Sequence, residues 1–217
     1  MGDSLNVMRQ MPDGCVDLVV TDPPYNLGID YGAQVDDNVP LSEYRSWLRG
    51  HISEAERVLV DGGLLFMWQS MKHLREVWQD YPKARCMAVC NNFVQIYGIS
   101  VEYAFDPVLF WHKGERGRKG QGAGLNRDWF LSNTASNKTR IKWHPCGRPL
   151  DVVNYLVDQW SREGDLVFDP FMGSGTTAVA AKKLGRHYFG CDINPDYVRM
   201  ANERVAQVDG TQLELIP

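Results

Sequence analysis

The residues with most chemistry in them are Asp22-Pro23-Pro24-Tyr25, directly after the apolar run Val16 to Thr21. Ligands of α/β sheets collect at strand ends. Two successive prolines fix the backbone, so a carboxylate, a carbonyl and an aromatic face project into one small space at little further entropic cost. That trio suits an exocyclic amino group on a flat ring: Asp22 and the Pro23 carbonyl accept its hydrogens while Tyr25 stacks on the ring. A rigid turn capped by an aspartate would read the same over four residues. The functional reading therefore leans on the strand before it and on a second motif.

That motif is Asp169-Pro170-Phe171-Met172-Gly173-Ser174-Gly175-Thr176-Thr177, which follows the apolar stretch Asp165 to Asp169 and opens a helix. Small residues let a ligand approach the backbone, and a helix N-terminus favours a carboxylate or phosphate. A phosphate loop would end in Gly-Lys-Ser/Thr and a dinucleotide site would read G-x-G-x-x-G; neither is present. About 20 residues on, the strand-like run His187 to Cys191 ends at Asp192, placed to accept hydrogen bonds from ribose hydroxyls. Together these describe a nucleoside ligand that carries a carboxylate and no obligatory phosphate, and S-adenosylmethionine fits that description.

The elements that must position these groups alternate short apolar runs with amphipathic helical patterns, the signature of a doubly wound, mostly parallel α/β sheet. Strands are expected at Val16 to Thr21, Gly63 to Trp68, Met87 to Tyr97, Tyr103 to His112, Asp165 to Asp169 and His187 to Cys191. Helices are expected at Leu5 to Arg9, Leu41 to Leu59, Lys72 to Tyr81, Leu150 to Trp160, Thr176 to Leu184 and Pro195 to Val205, the last with Asn194 as N-cap and Pro195 at its first position. With no helix between them, 87 to 97 and 103 to 112 predict an antiparallel hairpin at one edge. Gln212 to Ile216 also has strand character. Joining Pro217 to Met1 in thought restores the ordinary order of an α/β nucleotide-binding fold, which predicts a circular permutation with the two ends of this sequence close together.

With both motifs in hand, the sequence resembles the amino-group DNA methyltransferases of the permuted, beta-type order, in which Asp-Pro-Pro-Tyr precedes Phe-x-Gly-x-Gly. The likeness runs through Gly2-Asp3, Val16 to Tyr25, Val58 to Trp68, Tyr103 to Lys113 and His144 to Val205. It implies a seven-stranded Rossmann-like methyltransferase sheet, S-adenosylmethionine as cofactor and DNA as partner, with a place in restriction-modification. It also implies that Asp22, Pro23, Pro24 and Tyr25 are catalytic, and that Asp3 contacts the cofactor adenine. Asp169, Phe171, Gly173, Ser174, Gly175 and Thr176 would cradle the cofactor, with Asp192 on its ribose. The family's His-Pro-x-x-Lys-Pro, which helps hold the methionine end, falls on His144-Pro145-Cys146-Gly147-Arg148-Pro149, so Arg stands in the lysine's place. The resemblance implies transfer to adenine N6, since Asp rather than Ser opens the motif. Cytosine N4, an RNA substrate or a non-catalytic DNA-binding protein on the same fold are the alternatives. The mechanism it implies needs no covalent intermediate, but it does need the target base flipped out of the duplex.

Composition agrees with this reading once charge is resolved along the sequence. The 217 residues are 44% hydrophobic and 23% charged, an ordinary globular composition of one catalytic domain. Net charge is −4, which argues against a nucleic-acid partner. From His112 to Arg148, however, nine Lys or Arg face two acids, a local +7 that leaves −11 on the rest. Residues 113–143 are expected to form a mobile basic loop, a minimal target-recognition insertion in which Lys113, Arg116, Arg118, Lys119, Arg127, Lys138, Arg140 and Lys142 meet DNA phosphates. So small an element implies a short target, a second copy of the chain or an accessory partner. Pro145-Cys146 echoes the nucleophile of cytosine C5 methyltransferases, but it falls on the cofactor-side loop. The five cysteines form no paired C-x-x-C and read as reduced thiols, without a disulfide frame or metal site. No apolar run reaches the roughly 18–20 residues of a membrane helix and no signal pattern opens the sequence, so a cytoplasmic protein is expected.

Overall fold

Strand β1 (Val16–Thr21) sends alternate side chains to opposite faces of the sheet, and both faces are apolar. Val16 and Val19 join a core with Met8, Leu48, Ile52 and Phe168, while Leu18 and Val20 join another with Phe66, Val152 and Leu156. A strand apolar on both faces must be covered on both. In this computed structural model, which describes residues 2–32, 35–91, 104–114, 127–132 and 147–210, it is. Helices α1 (Ser4–Gln10) and α2 (Leu41–Val58) cover one face, and α4 (Leu150–Trp160) and α5 (Thr176–Lys183) the other. Two further helices, α3 (Leu74–Asp80) and α6 (Pro195–Ala206), complete the described set.

The remaining strands are β2 (Leu59–Trp68), β3 (Arg85–Asn91), β4 (Phe105–His112), β5 (Trp129–Ser132), β6 (Leu166–Asp169) and β7 (His187–Gly190). They form a seven-stranded sheet in the order β5-β3-β4-β2-β1-β6-β7. Strand β1 runs parallel to β2 and β6, β6 parallel to β7, and β4 antiparallel to both β2 and β3. Because β1, β2 and β6 point the same way, Thr21, Trp68 and Asp169 end at one rim, where the strand order places a ligand site.

Two expectations are corrected. The antiparallel pair is not the edge of the sheet, because β5 runs parallel to β3 outside it, with Ala88 opposite Trp129. Strand β5 also lies inside the segment expected to be a loop: four residues flanked by polar, glycine-rich sequence give too short a period to register as a strand. The predicted strand Gln212 to Ile216, and with it the closeness of the two ends, lies outside the described residues. At the other end, the Gly2 amide donates to the Asp192 carbonyl at 3.2 Å, tying α1 to the end of β7. Among the described residues no helix is long and apolar enough to cross a membrane, and the four described cysteines are free thiols.

Candidate active site

Both motifs open into one cavity of about 360 Å³, within the range that holds a nucleoside-sized ligand. One wall is the turn after β1. Tyr25 is 7% exposed, and its hydroxyl donates to Asp22 Oδ1. Burial, above all, pushes the Tyr25 phenol well above its usual pKa, so it stays a donor. The Tyr44 hydroxyl donates to the Pro24 carbonyl at 3.0 Å and receives Gln69 Nε2 at 3.2 Å, which fixes the turn from α2 and from the residue after β2. Beyond the turn, the buried Asp37 carboxylate accepts the amides of Asn26, Leu27 and Ile29 at 2.6, 3.0 and 3.0 Å. Asn26 takes a positive φ of 59° there, a conformation asparagine tolerates better than most residues.

Arg148 is the main surprise. Expected at the methionine end of a cofactor, it lines the cavity and lies on the Asp22 carboxylate. Its Nε donates to Asp22 Oδ2 at 2.6 Å and its Nη2 to Asp22 Oδ1 at 3.0 Å, while Nη1 reaches Asp106 Oδ2 at 3.3 Å. A guanidinium with only 16% of its side chain exposed needs carboxylate partners, and among the described residues these two are within reach. Burial works against its charge, but Asp22, Tyr25 and Asp106 outweigh burial and hold it protonated.

The opposite wall is the turn after β6. Asp169 is buried, accepting the Thr177 hydroxyl at 2.8 Å and the Phe171 amide at 3.0 Å. Burial pushes its carboxyl up to about 7 despite those bonds. Asp192 takes the Gly173 amide at 2.9 Å on one oxygen and the Asn194 amide at 2.8 Å on the other, and burial raises its carboxyl as well. Asp3 caps α1 through the Asn6 amide at 2.9 Å and lines the cavity on the same side. Phe171 packs against Trp47 and His51, ring centroids 5.5 and 5.4 Å away. His51 Nδ1 lies 2.8 Å from the Trp47 carbonyl, which can only accept, so that nitrogen carries a proton; burial lowers the ring's pKa and favours the neutral form.

Three motif residues have structural duties that the sequence did not disclose. Gly175 is not on the cavity wall: it takes φ +80° at the start of α5, and a Cβ there would lie 2.6 Å from the Ala201 side chain of α6. Its smallness serves helix packing. Arg204 Nη1 donates to the Ser174 carbonyl and hydroxyl at 2.5 and 2.9 Å and to the Thr176 hydroxyl at 3.4 Å.

The basic residues divide. Lys113, expected on DNA, donates from Nζ to the carbonyls of Arg57 and Leu59 at 2.8 and 2.6 Å, capping α2 near the rim opposite the cavity. Arg127 is exposed and lies over the Trp129 ring at 5.0 Å. Arg116, Arg118, Lys119, Lys138, Arg140, Lys142 and His144 lie outside the described residues. On β4, Phe110 stacks on Phe66 and Trp111 on Tyr81. Trp68, from the end of β2, also lines the cavity on the side of Tyr25 and Arg148. Trp47 and His51 were also missed. Their i, i+4 spacing marks one face of α2, but nothing local says that this face meets Phe171.

The DNA methylase family model matches residues 16–113 and 72–203. The chain is 31% identical over 228 residues to the type II methyltransferase M.HpaI of Haemophilus parainfluenzae, covering 94% of this chain and 72% of that protein. Such curated relatives are longer, the chain spanning 53% to 72% of three of them. Among solved structures, PvuII DNA methyltransferase (cytosine-N4-specific) aligns with a TM-score of 0.77 at 21% identity, over 100% of this chain and 86% of that one. TTHA0409 of Thermus thermophilus, complexed with S-adenosyl-L-methionine, aligns with a TM-score of 0.71 at 22% identity, over 98% of this chain and 94% of that one.

Proposed function

The chain belongs to the DNA methylase family, and from that premise we propose that it transfers a methyl group from S-adenosylmethionine to the exocyclic amino group of a flipped base in DNA, adenine N6. The observation that carries the reading is that Asp22, Asp169 and Asp192 open into one cavity. The donor set fits the cofactor. Asp169 is a buried carboxylate suited to an ammonium group, Asp192 offers acceptors to ribose hydroxyls, and Phe171 with Trp47 offers an aromatic wall to adenine. The cofactor supplies an electrophilic methyl on a sulfonium. What remains for the chain is to improve a poor nucleophile, because the amino lone pair of a base is delocalised into the ring.

Asp22 and the Pro23 carbonyl accept the amino hydrogens, which favours localising the lone pair and holds the nitrogen in line with the methyl. Positioning of this kind supplies much of the rate. The Tyr25 ring stacks on the base and the buried turn excludes water. DNA phosphates are met by the basic residues of 113–143 other than Lys113, with a second copy or an accessory partner adding specificity. The setting is cytoplasmic restriction-modification.

The deciding experiment methylates mixed-sequence DNA with labelled S-adenosylmethionine and identifies the modified nucleoside by mass spectrometry. N6-methyldeoxyadenosine is the expected product. N4-methyldeoxycytidine would overturn the choice of base, and absence of label from DNA would overturn the transfer itself.

A further inference from the structure

The Arg148 guanidinium stands where a target base would have to go. Its Cζ lies 5.5 Å from the centroid of the Tyr25 ring, over its face, and 5.9 Å from that of Trp68. Its Nε and Nη2 also occupy both oxygens of Asp22 in the forked geometry of a strong arginine–carboxylate pair. An amino group seated on Asp22, with its ring on Tyr25, and this guanidinium compete for the same face and the same acceptor.

Charge adds a second conflict. The amino nitrogen becomes positive as it takes the methyl, so a cation held on the same carboxylate would oppose the step and draw off the negative charge meant to assist it.

Asp106, at the start of β4, resolves both conflicts. It already touches Arg148 Nη1 at 3.3 Å and its side chain is 30% exposed, leaving the carboxylate free to accept a closer pair. Pro149, the N-cap of α4 with φ −60°, restricts the backbone at Arg148 to extended conformations, and the move required is a change of side-chain rotamer. A guanidinium that stepped from Asp22 to Asp106 would never be left buried without a partner, the state that costs most. Resting on the methyltransferase reading, we propose that Arg148 gates the base site between two carboxylates. It lies on Asp22 when the site is empty and on Asp106 when a base is seated, which makes Asp106 a positioning residue for the reaction.

Such a gate lowers apparent DNA affinity by the fraction of molecules in the open state and leaves the chemical step of the seated base unchanged. The test compares wild type, Asp106→Asn, Arg148→Gln and the double variant, each first shown to bind S-adenosylmethionine by titration. Asp106→Asn should raise KM for DNA about tenfold with kcat within about twofold, and the same substitution in the Arg148→Gln background should shift KM by less than about twofold. An equal rise in both backgrounds would overturn the gate, because Asp106 would then act without Arg148.

A readout independent of turnover is the Arg148 Nε–H resonance, assigned by its loss in Arg148→Gln. It should move when DNA is added to wild type with S-adenosylhomocysteine, and in Asp106→Asn the same displacement should need about tenfold more DNA. A resonance unmoved while DNA binds also overturns the proposal. Should wild type bind cofactor and DNA yet transfer no label, the methyltransferase reading fails, and the resonance still decides whether Arg148 moves.

Discussion

The Thr177 hydroxyl donates to the buried Asp169 carboxylate at 2.8 Å across the first turn of α5, yet that bond does not offset burial, and Asp169 titrates at about 7. A ligand ammonium needs the carboxylate form. Affinity for S-adenosylmethionine should therefore rise about tenfold between pH 5.5 and 7, below the range near 7.7 where an α-amino group begins to lose its own proton. Titration calorimetry at the two pH values checks this. Asp169→Asn should give a flat, weak profile, and Thr177→Val should move the midpoint upward. Stability of the ligand-free protein runs the opposite way. The folded pKa exceeds the ordinary 3.8, so the contribution is fully present below about 4 and is lost as pH rises through about 7, a slope absent from Asp169→Asn.

Gly175→Ala should destabilise the protein by about 2–4 kcal/mol, combining the cost of a non-glycine residue at φ +80° with a Cβ 2.6 Å from Ala201. Gly164→Ala is the matched control. It has φ +82° and nothing within 4 Å of an added Cβ, so it should show only the conformational part, about 1 kcal/mol. Urea unfolding separates the two. A like loss in both would mean that α5 and α6 can part without cost.

Much of this site was readable because its chemistry is local. Asp22-Pro23-Pro24-Tyr25 and the turn at 169–177 each carry their meaning in consecutive residues, after strands whose apolar runs are unambiguous, and α4 has the bounds expected of it. What stayed hidden depends on contacts distant in sequence. Arg148 reaches Asp22 across 126 residues, and no periodicity announces that pairing. Gly175 looks like a ligand-approach glycine until Ala201 is placed against it. Strand β5 is only four residues long, and its pairing with β3 rather than its own propensity makes it a strand.

Lys113 and the other basic residues of its segment should separate cleanly. Lys113→Met removes two hydrogen bonds to carbonyls at the end of α2 and should cost about 1–3 kcal/mol of stability, while leaving the salt dependence of DNA binding as it was. Neutralising Lys138, Arg140 and Lys142 together should leave stability unchanged and flatten the slope of log K against log salt by about 0.9 for each phosphate no longer neutralised. The same test on Arg116, Arg118 and Lys119 reports which part of the segment meets DNA. Filter binding at several salt concentrations gives all three slopes, and a slope altered by Lys113→Met would return that residue to the interface.

Asp37 should matter to catalysis through the loop it holds. Its carboxylate gathers three amides of the chain leaving Tyr25, and its own carbonyl receives the Gly28 amide at 2.8 Å. Asp37→Ala strands three donors, each costing on the order of 1–3 kcal/mol if it stays dry. That exceeds what a short surface loop can hold, so residues 26–39 should open rather than remain unsatisfied. Hydrogen exchange at Asn26, Leu27 and Ile29 should then accelerate together, while the amides of β1 keep their protection. The loop lines the cavity through Tyr31 and Val35 and is anchored at the far side by Asn194 Nδ2 on the Tyr31 carbonyl at 3.1 Å. Affinity for S-adenosylmethionine should fall along with kcat/KM. Unchanged exchange at those three amides would show that the loop is held by Asn194 and by the paired side-chain and backbone bonds of Asn26 with Val39, at 2.8 Å each, and that Asp37 is dispensable.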